Sequence, residues 1–461
     1  MDRKVWEPSM EYIQKHLQES NDNQIKKRAA LHNLGCKVNA YETQVMSEQL
    51  EAGGYEIVPF SQRADVYVIN TCTVTNIADR KSRQMLHRAR KKNPNAVIVA
   101  AGCYVQSAQE EIQKDLSIDI VIGNNQKKNL LSLLQEFQEK KEHLAEITDM
   151  SRPIEYEFME MQRAGEHTRA FVKIQDGCNQ FCSYCIIPFV RGRIRSKDIH
   201  LIEREVRGLT AQGYKEIVLT GIHLSSYGRE KLQGEADLLT VIQRLGAIPG
   251  LERIRLGSLE QGVITEEFLK QVKFIESFCP HFHLSLQSGS EAVLKKMNRH
   301  YTPSQFLDTC NRIRKFFPMA AITTDVITGF PGETQEEFEE TKVFVRKVKF
   351  AQMHIFPFSV RRGTKAQDMP GQLSQSVKSG RAEELIEIGR QMELEYKKQF
   401  LHKEIEVLIE EKLLIGDKYY QIGYTKEYVK IALEEKKDYH NNIWTGIVTD
   451  FLNNEILLAE K

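Results

Sequence analysis

Three closely spaced cysteines carry the most specific chemistry in this sequence. Cys178, Cys182 and Cys185 have the spacing Cys-x3-Cys-x2-Cys, directly after a predicted strand. Three thiolates on one short loop can bind three irons of a four-iron cluster, and the missing fourth protein ligand leaves one iron open to another molecule. A structural zinc site normally has a fourth Cys or His, for which His200 is the candidate, and a disulfide framework has an even number of cysteines. The pattern therefore favours an iron–sulfur cluster, with zinc as the alternative.

A second set of cysteines is dispersed along the chain. Cys36, Cys72 and Cys103 each follow a predicted strand by one or two residues. Because the carboxyl ends of parallel strands lie at one edge of a sheet, these thiols are expected to meet there. The alternative is that they are buried packing residues, which is how free cysteines commonly occur. Cys279 and Cys310 have no partner at ligand spacing and are predicted to be plain buried thiols.

The elements that position both sets follow from hydrophobic periodicity. Residues 28–138 alternate strand-like and helix-like segments, which predicts a parallel α/β domain. A charged stretch at 139–168 is predicted to be a linker with partial structure, and residues 1–27 form an amino-terminal extension without an interpretable motif. The first cysteine set thus belongs to an amino-terminal domain of its own.

The remaining chain divides into two further units. Residues 169–395 contain six strand–helix repeats, which predict a partial (βα)6 barrel with functional residues at the carboxyl ends of its strands. A long helix is predicted near 374–402. Residues 396–461 contain five short strands at turn spacing, which predict a small all-β barrel. The predicted fold class is α/β with a small all-β domain at the end.

Composition limits the possible partners. The chain has 461 residues, with 64 Lys and Arg against 63 Asp and Glu, so a nucleic acid must be bound by local patches. The first thirty residues lack an apolar run of signal-peptide length, and nowhere do about 18 apolar residues follow one another. We therefore expect a cytoplasmic protein with no membrane contact, in which metal binding by cysteine is favoured over disulfides.

Around the cysteines the chain resembles the radical S-adenosylmethionine (SAM) methylthiotransferase family. The resemblance covers nearly the whole chain after about residue 27, and its end is similar to the TRAM domain. The sequences of the segments GCKVNAYET and NTCTVT are most similar to those of the branch that acts on N6-threonylcarbamoyladenosine in tRNA. The matching segments are CNQFCSYCIIPFVRGRIRS, LGCKVNAYET, NTCTVTNIADRKSR, AGCYVQ, LTGIHLSSYG, HLSLQSGSEAVLKKMNRHY, TGFPGET and HIFPFSVRRGT.

The resemblance implies two cofactors. Cys178, Cys182 and Cys185 would bind a [4Fe–4S] cluster whose open iron chelates SAM, and cleavage of SAM would give a radical that removes hydrogen from C2 of an adenine. The dispersed cysteines would bind a second [4Fe–4S] cluster that holds or supplies sulfur. An electron donor such as flavodoxin or ferredoxin and a sulfur source are further expected partners.

The activity implied is methylthiolation of adenosine 37 in the anticodon loop of tRNA, on the threonylcarbamoyl-modified base. Three alternatives remain at this point. The substrate could be isopentenyladenosine in tRNA or a ribosomal protein, the dispersed cysteines could serve packing only, or the chain could be a non-catalytic, zinc-containing RNA-binding protein.

Weaker candidates for SAM contacts lie at or near predicted strand ends of the barrel, where SAM would bind in a barrel of this type. Each could instead be a turn glycine or a capping residue. These candidates are Gly221, Ser258, Glu260, Gln287, Ser288, Asp325 and Gly329.

Two basic runs follow cluster cysteines and are predicted to contact RNA phosphates, although a solvated helix face is the usual meaning of such a run. Residues 80–92 contain seven Lys or Arg and no acidic residue. The predicted contacts are Arg80, Lys81, Arg83, Arg88, Arg90, Lys91, Lys92, Arg191, Arg193, Arg195 and Lys197.

The terminal unit is not basic overall, because residues 396–461 hold ten Lys and twelve Asp or Glu. If it binds tRNA, it must do so with one face, and strand packing is the alternative role for its tyrosines. The candidates for this face are Tyr419, Tyr420, Tyr424, Lys426 and Tyr428.

Overall fold

The computed structural model describes residues 26–163, 168–230, 236–435 and 437–461. The predicted amino-terminal extension therefore lies outside the described residues, except for residues 26 and 27.

The amino-terminal domain contains a six-stranded parallel sheet in the order β2-β1-β3-β4-β5-β6. All six residues of β3 are buried, as expected for a central strand covered on both faces. The strands are β1 (Arg28–Asn33), β2 (Glu56–Ile57), β3 (Val66–Thr71), β4 (Val97–Gly102), β5 (Ile120–Ile122) and β6 (Leu144–Glu146).

In the described part of the amino-terminal domain, five α-helices accompany this sheet, and capping residues mark the ends of two of them. The Thr75 hydroxyl accepts a hydrogen bond from the Ala78 amide and caps α2. Helix α1 ends at Gly53, whose amide donates to the Gln49 carbonyl at 2.9 Å. The helices are α1 (Lys37–Ala52), α2 (Asn76–Lys92), α3 (Cys103–Ser107), α4 (Gln109–Gln113) and α5 (Leu130–Lys140).

The central domain is a partial barrel of six parallel strands. Its sheets run β10-β9-β7-β8 and β11-β12-β13, and the isolated bridges Ile254–Phe278 and Leu259–Leu284 join them. The short strand β8 pairs antiparallel to β7. The strands are β7 (Arg169–Asp176), β8 (Arg195–Ser196), β9 (Glu216–Gly221), β10 (Arg253–Leu256), β11 (His281–His283), β12 (Ala321–Thr328) and β13 (Gln352–Pro357).

Eight α-helices of this domain lie among its described residues. Capping boxes begin two of them, formed by Thr302 with Gln305 and by Thr334 with Glu337. The helices are α6 (Ile187–Val190), α7 (Ile199–Ala211), α8 (Leu238–Gly246), α9 (Glu266–Lys273), α10 (Glu291–Lys296), α11 (Pro303–Phe316), α12 (Gln335–Val348) and α13 (Gln375–Lys398).

The last domain is a closed five-stranded barrel in the order β14-β15-β16-β18-β17. It docks on the central barrel through two buried arginines. Arg253 donates to the Tyr424 carbonyl at 2.6 Å, and Arg255 donates to the Lys426 carbonyl at 2.8 Å. The strands are β14 (Glu404–Ile415), β15 (Lys418–Tyr424), β16 (Lys430–Leu433), β17 (Ile443–Phe451) and β18 (Leu457–Glu460).

The predicted fold class is confirmed, and the segment predicted to be a linker contains structure of its own. Strand β6 lies inside the predicted linker and pairs in parallel with β5. Farther along that segment, Met159 and Met161 are buried, and the Tyr41 hydroxyl donates to the Met159 carbonyl at 2.8 Å. The segment is therefore packed rather than free. Among the described helices, none has the length and apolar composition needed to cross a lipid bilayer.

Candidate active site

The structure brings the dispersed cysteines to one edge of the amino-terminal sheet. Cys36 follows β1, Cys72 follows β3 and Cys103 follows β4, and these three strands are neighbours. The approach is close, since a Cβ atom built on Gly35 would lie 2.8 Å from Cys72 Sγ. Gly35 has φ of +102°, a conformation that glycine adopts without steric cost. We call Cys36, Cys72 and Cys103 the strand-end trio.

The other three cysteines share the loop after β7, and we call them the loop trio. Its entry is fixed by Gly177, because a Cβ atom there would lie 1.8 Å from the Arg193 carbonyl oxygen. The Cys178 amide donates to the Gly192 carbonyl at 3.0 Å, and the Cys185 amide donates to the Cys182 carbonyl at 3.0 Å. The loop is thus held by its own backbone and by the segment that follows it.

The thiols of each trio influence one another. Burial, with a smaller contribution from the charges of Cys103 and Cys36, raises the pKa of Cys72 to about 12. Burial and the charge of Cys182 raise the pKa of Cys185 to about 12. Without a metal, Cys72 and Cys185 therefore hold their protons, whereas a coordinating metal centre deprotonates thiols. Both donor sets fit thiolate ligation of a metal cluster.

A set of side chains suited to a single metal ion lies elsewhere in the barrel. Among the described residues, the set of three His, Cys, Asp or Glu atoms close enough to hold one ion is His283, Asp325 and His354, which lie within 4.8 Å of one another. Neither cysteine trio forms such a set.

His200, the candidate fourth ligand of the zinc alternative, has a different environment. His200 lies on helix α7 with its side chain 75% exposed, and its Nδ1 is 3.8 Å from a Glu203 oxygen. It does not close a site with the loop trio. Cys279 and Cys310 are fully buried elsewhere, as predicted.

Arg191 connects the two trios across the domain interface. It is fully buried, and its Nε donates to Cys103 Sγ at 3.3 Å. Its guanidinium also lies 2.8 Å from Glu42 and 3.2 Å from Asp176. The next residue, Gly192, accepts the hydrogen bond from Cys178 noted above. A short run of chain thus touches both trios.

Glu42 is the carboxylate at the centre of this interface. Burial would raise its pKa, but the charges of Arg191, Lys127 and Lys173 lower it well below the usual value. Lys127 and Lys173 lie 3.0 and 2.7 Å from its oxygens. The network stays charged and joins the amino-terminal domain to the barrel.

This network corrects part of the predicted RNA surface. Arg191, Arg195 and Lys197 are buried, so the structure does not support phosphate contacts by them. Arg195 donates to the Arg191 carbonyl at 2.8 Å, and Lys197 pairs with buried Glu205. Their carboxylate partners are distant in sequence, so the basic run alone predicts exposed cations. Arg193 is exposed and lies over the Phe181 ring, 4.4 Å from its centroid.

The basic side chains of helix α2 also differ in their roles. Arg90 is tied to Asp119 at 2.6 Å, and Lys92 donates to the Ser61 carbonyl, so these two brace the domain. Arg83 donates to the Tyr104 hydroxyl at 2.8 Å. The exposed cations of the helix are Arg80, Lys81, Arg83, Arg88 and Lys91.

Among the predicted SAM contacts, Glu260 lies beside the loop trio. It accepts from Gln180 at 3.0 Å and pairs with Arg299 at 2.9 Å. Burial would raise the pKa of Glu260, but a hydrogen bond from His223 and the Arg299 charge lower it. Arg299 also donates to Cys182 Sγ at 3.4 Å. Arg299 lies in the MNRHY segment but was not among the predicted contacts.

Gln287 and Asp325 form a second group of candidates. The Gln287 amide donates to the Asp325 carbonyl at 2.9 Å, and Gln287 has φ of +70°. The Asp325 carboxylate lies 3.2 Å from His283 Nε2, and His354 faces Asp325 in register on β13. His283 and His354 were not among the predicted site residues, although regular alternation along adjacent strands places them beside Asp325.

The other four candidates differ in their access to a ligand. Ser258 is exposed and Gly221 is partly exposed, each near a strand end. Ser288 is buried, with its hydroxyl 3.3 Å from that of Thr341. A Cβ atom on Gly329 would lie 2.4 Å from Lys378. Packing therefore explains Ser288 and Gly329, and the structure does not support them as SAM contacts.

The predicted RNA face of the terminal barrel is mostly turned toward the central barrel. Tyr424 and Tyr428 stack at 4.7 Å, with the Arg169 guanidinium 5.0 and 5.2 Å from their rings. Lys426 donates to the Glu276 carbonyl at 3.0 Å, and Tyr420 is buried. Of the five candidates, Tyr419 is the most exposed, at 61%, and Tyr428 is 37% exposed. Docking on the barrel is the role that the sequence did not reveal.

Two family models match the chain. "Uncharacterized protein family UPF0004" matches residues 28–123, and "Radical SAM superfamily" matches residues 172–345. The solved structure of the radical SAM methyltransferase TsrM from Kitasatospora setae aligns with a TM-score of 0.55 at 16% identity, covering 74% of this chain and 77% of that chain. This likeness supports the fold. The fold and the loop trio define a radical SAM enzyme.

Curated relatives extend along most of the chain. The threonylcarbamoyladenosine tRNA methylthiotransferase MtaB of Bacillus subtilis is 40% identical over 89% of this chain and 91% of its own length. MtaB of Aquifex aeolicus is 40% identical over 88% of this chain and 99% of its own length. A tRNA-2-methylthio-N(6)-dimethylallyladenosine synthase of Clostridium botulinum is 36% identical over 82% of this chain and 84% of its own length. The chain belongs to the radical SAM tRNA methylthiotransferase family and is a transferase.

Proposed function

We propose that this enzyme converts N6-threonylcarbamoyladenosine at position 37 of tRNA to its 2-methylthio derivative, with two [4Fe–4S] clusters and SAM. The observation that carries the proposal is the pairing of two three-cysteine sets on separate domains, connected through Arg191. Each set lacks a fourth cysteine, so each cluster would keep one iron open to an exogenous ligand.

The residues divide the work between the two trios. When bound, the cluster on the loop trio supplies reductive cleavage of SAM, and the cluster on the strand-end trio supplies sulfur chemistry. Glu260, Gln180 and Arg299 stand beside the loop trio as polar groups for SAM. Ser258, Gly221, Gln287 and Asp325 are the further candidates. A predicted electron donor such as flavodoxin or ferredoxin and a sulfur source complete the cytoplasmic reaction.

Recognition of tRNA is assigned to the exposed cations beside the site. These are Arg193, next to the loop trio, and the exposed face of helix α2 that begins shortly after Cys72. Phosphate contacts of this kind position an RNA without reading its sequence, while a splayed loop base would enter between the trios.

Metal analysis tests the two-cluster proposal. After anaerobic reconstitution we expect about eight irons and eight sulfides per chain, and about four of each when either trio is replaced by alanine. Zinc without iron would contradict the enzyme assignment. Equal iron in wild type and in the strand-end trio variant would contradict the second cluster.

Nucleoside mass spectrometry tests the substrate. Cells that lack this chain should lose 2-methylthio-N6-threonylcarbamoyladenosine from tRNA and regain it on complementation. Unchanged levels of this nucleoside, with loss of the isopentenyl analogue, would assign the dimethylallyl substrate named for the Clostridium relative instead.

A further inference from the structure

A cavity of about 580 Å³ is lined by Lys37, the residue that follows Cys36 of the strand-end trio in sequence. One wall is helix α1, which begins directly after Cys36. A second wall is the inner side of the barrel, and the third is the terminal barrel with Tyr424 and Tyr428. The cavity is large enough for a small substituent of a nucleoside.

Helix α1 presents one continuous face to this cavity. The lining residues Lys37, Ala40, Tyr41 and Gln44 have the three- and four-residue spacing of one helix side. Lys37 is the first residue of the helix and is accessible to solvent. Lys37 therefore follows Cys36 directly in sequence, and its side chain lines the cavity.

The other cations of the cavity already have partners. Arg255 binds Glu216 at 2.7 Å, and Arg169 binds Glu410 at 2.8 Å. Glu411 also lines the cavity and is exposed to solvent. Lys37 makes no ion pair or hydrogen bond with any described residue. It is the cation available to an entering anion.

The surrounding charges favour such an anion. Glu216 and Glu410 neutralise Arg255 and Arg169, so the charge of Lys37 is the one left for an entering anion. A carboxylate that enters the cavity would pair with the Lys37 ammonium. Charge-assisted hydrogen bonds of this kind are stronger than neutral ones.

We propose that this cavity receives the N6-threonylcarbamoyl group of the target adenosine and that Lys37 binds its carboxylate. This inference rests on the proposed function and names its specificity determinant. A dimethylallyl group has no charge to offer, so an unpaired Lys37 favours the threonylcarbamoyl substrate over it.

Variants of Lys37 test the proposal in the full-length, reconstituted enzyme. With tRNA that carries N6-threonylcarbamoyladenosine, we expect kcat/KM of Lys37→Gln to fall about 10- to 100-fold, because a hydrogen bond to a charged group is lost. Lys37→Arg should recover most of the loss. Lys273→Gln, at an exposed position of helix α9, is the matched control and should behave as wild type.

A modified substrate separates charge recognition from a structural effect. When the threonyl carboxylate is converted to a neutral methyl ester, wild type should lose about the same factor as Lys37→Gln, and Lys37→Gln should show no further loss. Iron, sulfide and SAM cleavage without tRNA should be the same in wild type and Lys37→Gln.

Three results would overturn the inference. These are a wild-type kcat/KM in Lys37→Gln, an equal further loss with the ester in that variant, and loss of iron that Lys37→Arg does not restore. Failure of the proposed function looks different, since wild type itself would then fail to modify threonylcarbamoyladenosine in tRNA.

Discussion

The two cysteine trios present similar donor sets built in different ways. Cys178, Cys182 and Cys185 belong to one loop, which a glycine and a few backbone hydrogen bonds shape. The strand-end trio comes from three separate connections and meets only because β1, β3 and β4 are adjacent and parallel. The first site is a local property of the chain, and the second is a property of the fold.

Each trio has an arginine at one of its sulfur atoms, and the two arginines also differ. Arg299 reaches Cys182 and ends on Glu260 within the barrel. Arg191 reaches Cys103 from the other domain and is tied to Glu42 and Asp176. The strand-end trio thus depends on the domain interface, while the loop trio depends on the barrel alone.

Single cysteine replacements should separate the two sites most strongly. Cys182→Ala should abolish both SAM cleavage and methylthiolation, because the cluster that chelates SAM would be lost. Cys72→Ala should abolish methylthiolation but retain SAM cleavage. Chromatographic detection of 5′-deoxyadenosine with a chemical reductant measures the first activity, and nucleoside mass spectrometry measures the second.

Cys310→Ala is the control for these replacements, since this buried thiol lies apart from both trios. It should retain iron and both activities. Full iron and full methylthiolation in Cys72→Ala would instead show that the strand-end thiols only pack.

Glycine replacements should damage one trio at a time. Gly177→Ala would place a Cβ atom 1.8 Å from the Arg193 carbonyl, and Gly35→Ala would place one 2.8 Å from Cys72 Sγ. We expect the first to lose the iron of the loop trio and the second that of the strand-end trio, each by about half of the total. Iron analysis and the two assays above measure the outcome.

Gly54→Ala is the matched control for backbone strain. Gly54 has φ of +86°, yet a Cβ atom there would meet nothing within 4 Å. It should cost some stability and no iron. If Gly54→Ala loses as much iron as Gly35→Ala, close packing is not what glycine provides at the trios.

The loop trio and the strand-end trio were not equally easy to predict from the sequence. The loop trio could be predicted from spacing alone, and the strand-end trio followed from periodic apolar segments that place strand ends together. Strand β6 was missed, because three residues within a charged stretch give too short a pattern. Its pairing with β5 is a tertiary property.

Charged and aromatic residues near interfaces were predicted least well. Arg191 reads as part of a basic run, but its partner Glu42 stands 149 positions earlier. Tyr424 and Tyr428 have the spacing of an exposed face, yet they pack against Arg169 of the barrel. Burial by another domain leaves no trace in local composition, so such roles need the fold.

Removing each arginine should sharpen the contrast between the interfaces. Arg191→Met should lower the free energy of unfolding by about 3 kcal/mol, because buried Glu42 and Asp176 each lose a partner. Arg299→Met should cost less stability and instead lower the reduction potential of the cluster on the loop trio, since a hydrogen bond to sulfur is lost. Denaturant unfolding and redox titration measure the two effects.

Arg193→Met is the control for Arg191→Met, because Arg193 is exposed and its guanidinium lies over the Phe181 ring. Its stability should remain within about 0.5 kcal/mol of wild type. An Arg191→Met protein as stable as Arg193→Met would mean that the interface does not depend on this network.

The smallest effect is expected from His200→Ala, which tests whether the loop trio needs a fourth protein ligand. The His200 side chain is 75% exposed and faces Glu203, so its loss should leave the metal content, SAM cleavage and methylthiolation unchanged. Metal analysis of the anaerobically purified variant is the direct measurement. A loss of bound metal would place His200 in the first coordination sphere and would favour a closed, four-ligand site, which cannot chelate SAM and would leave the strand-end trio without a reaction to serve.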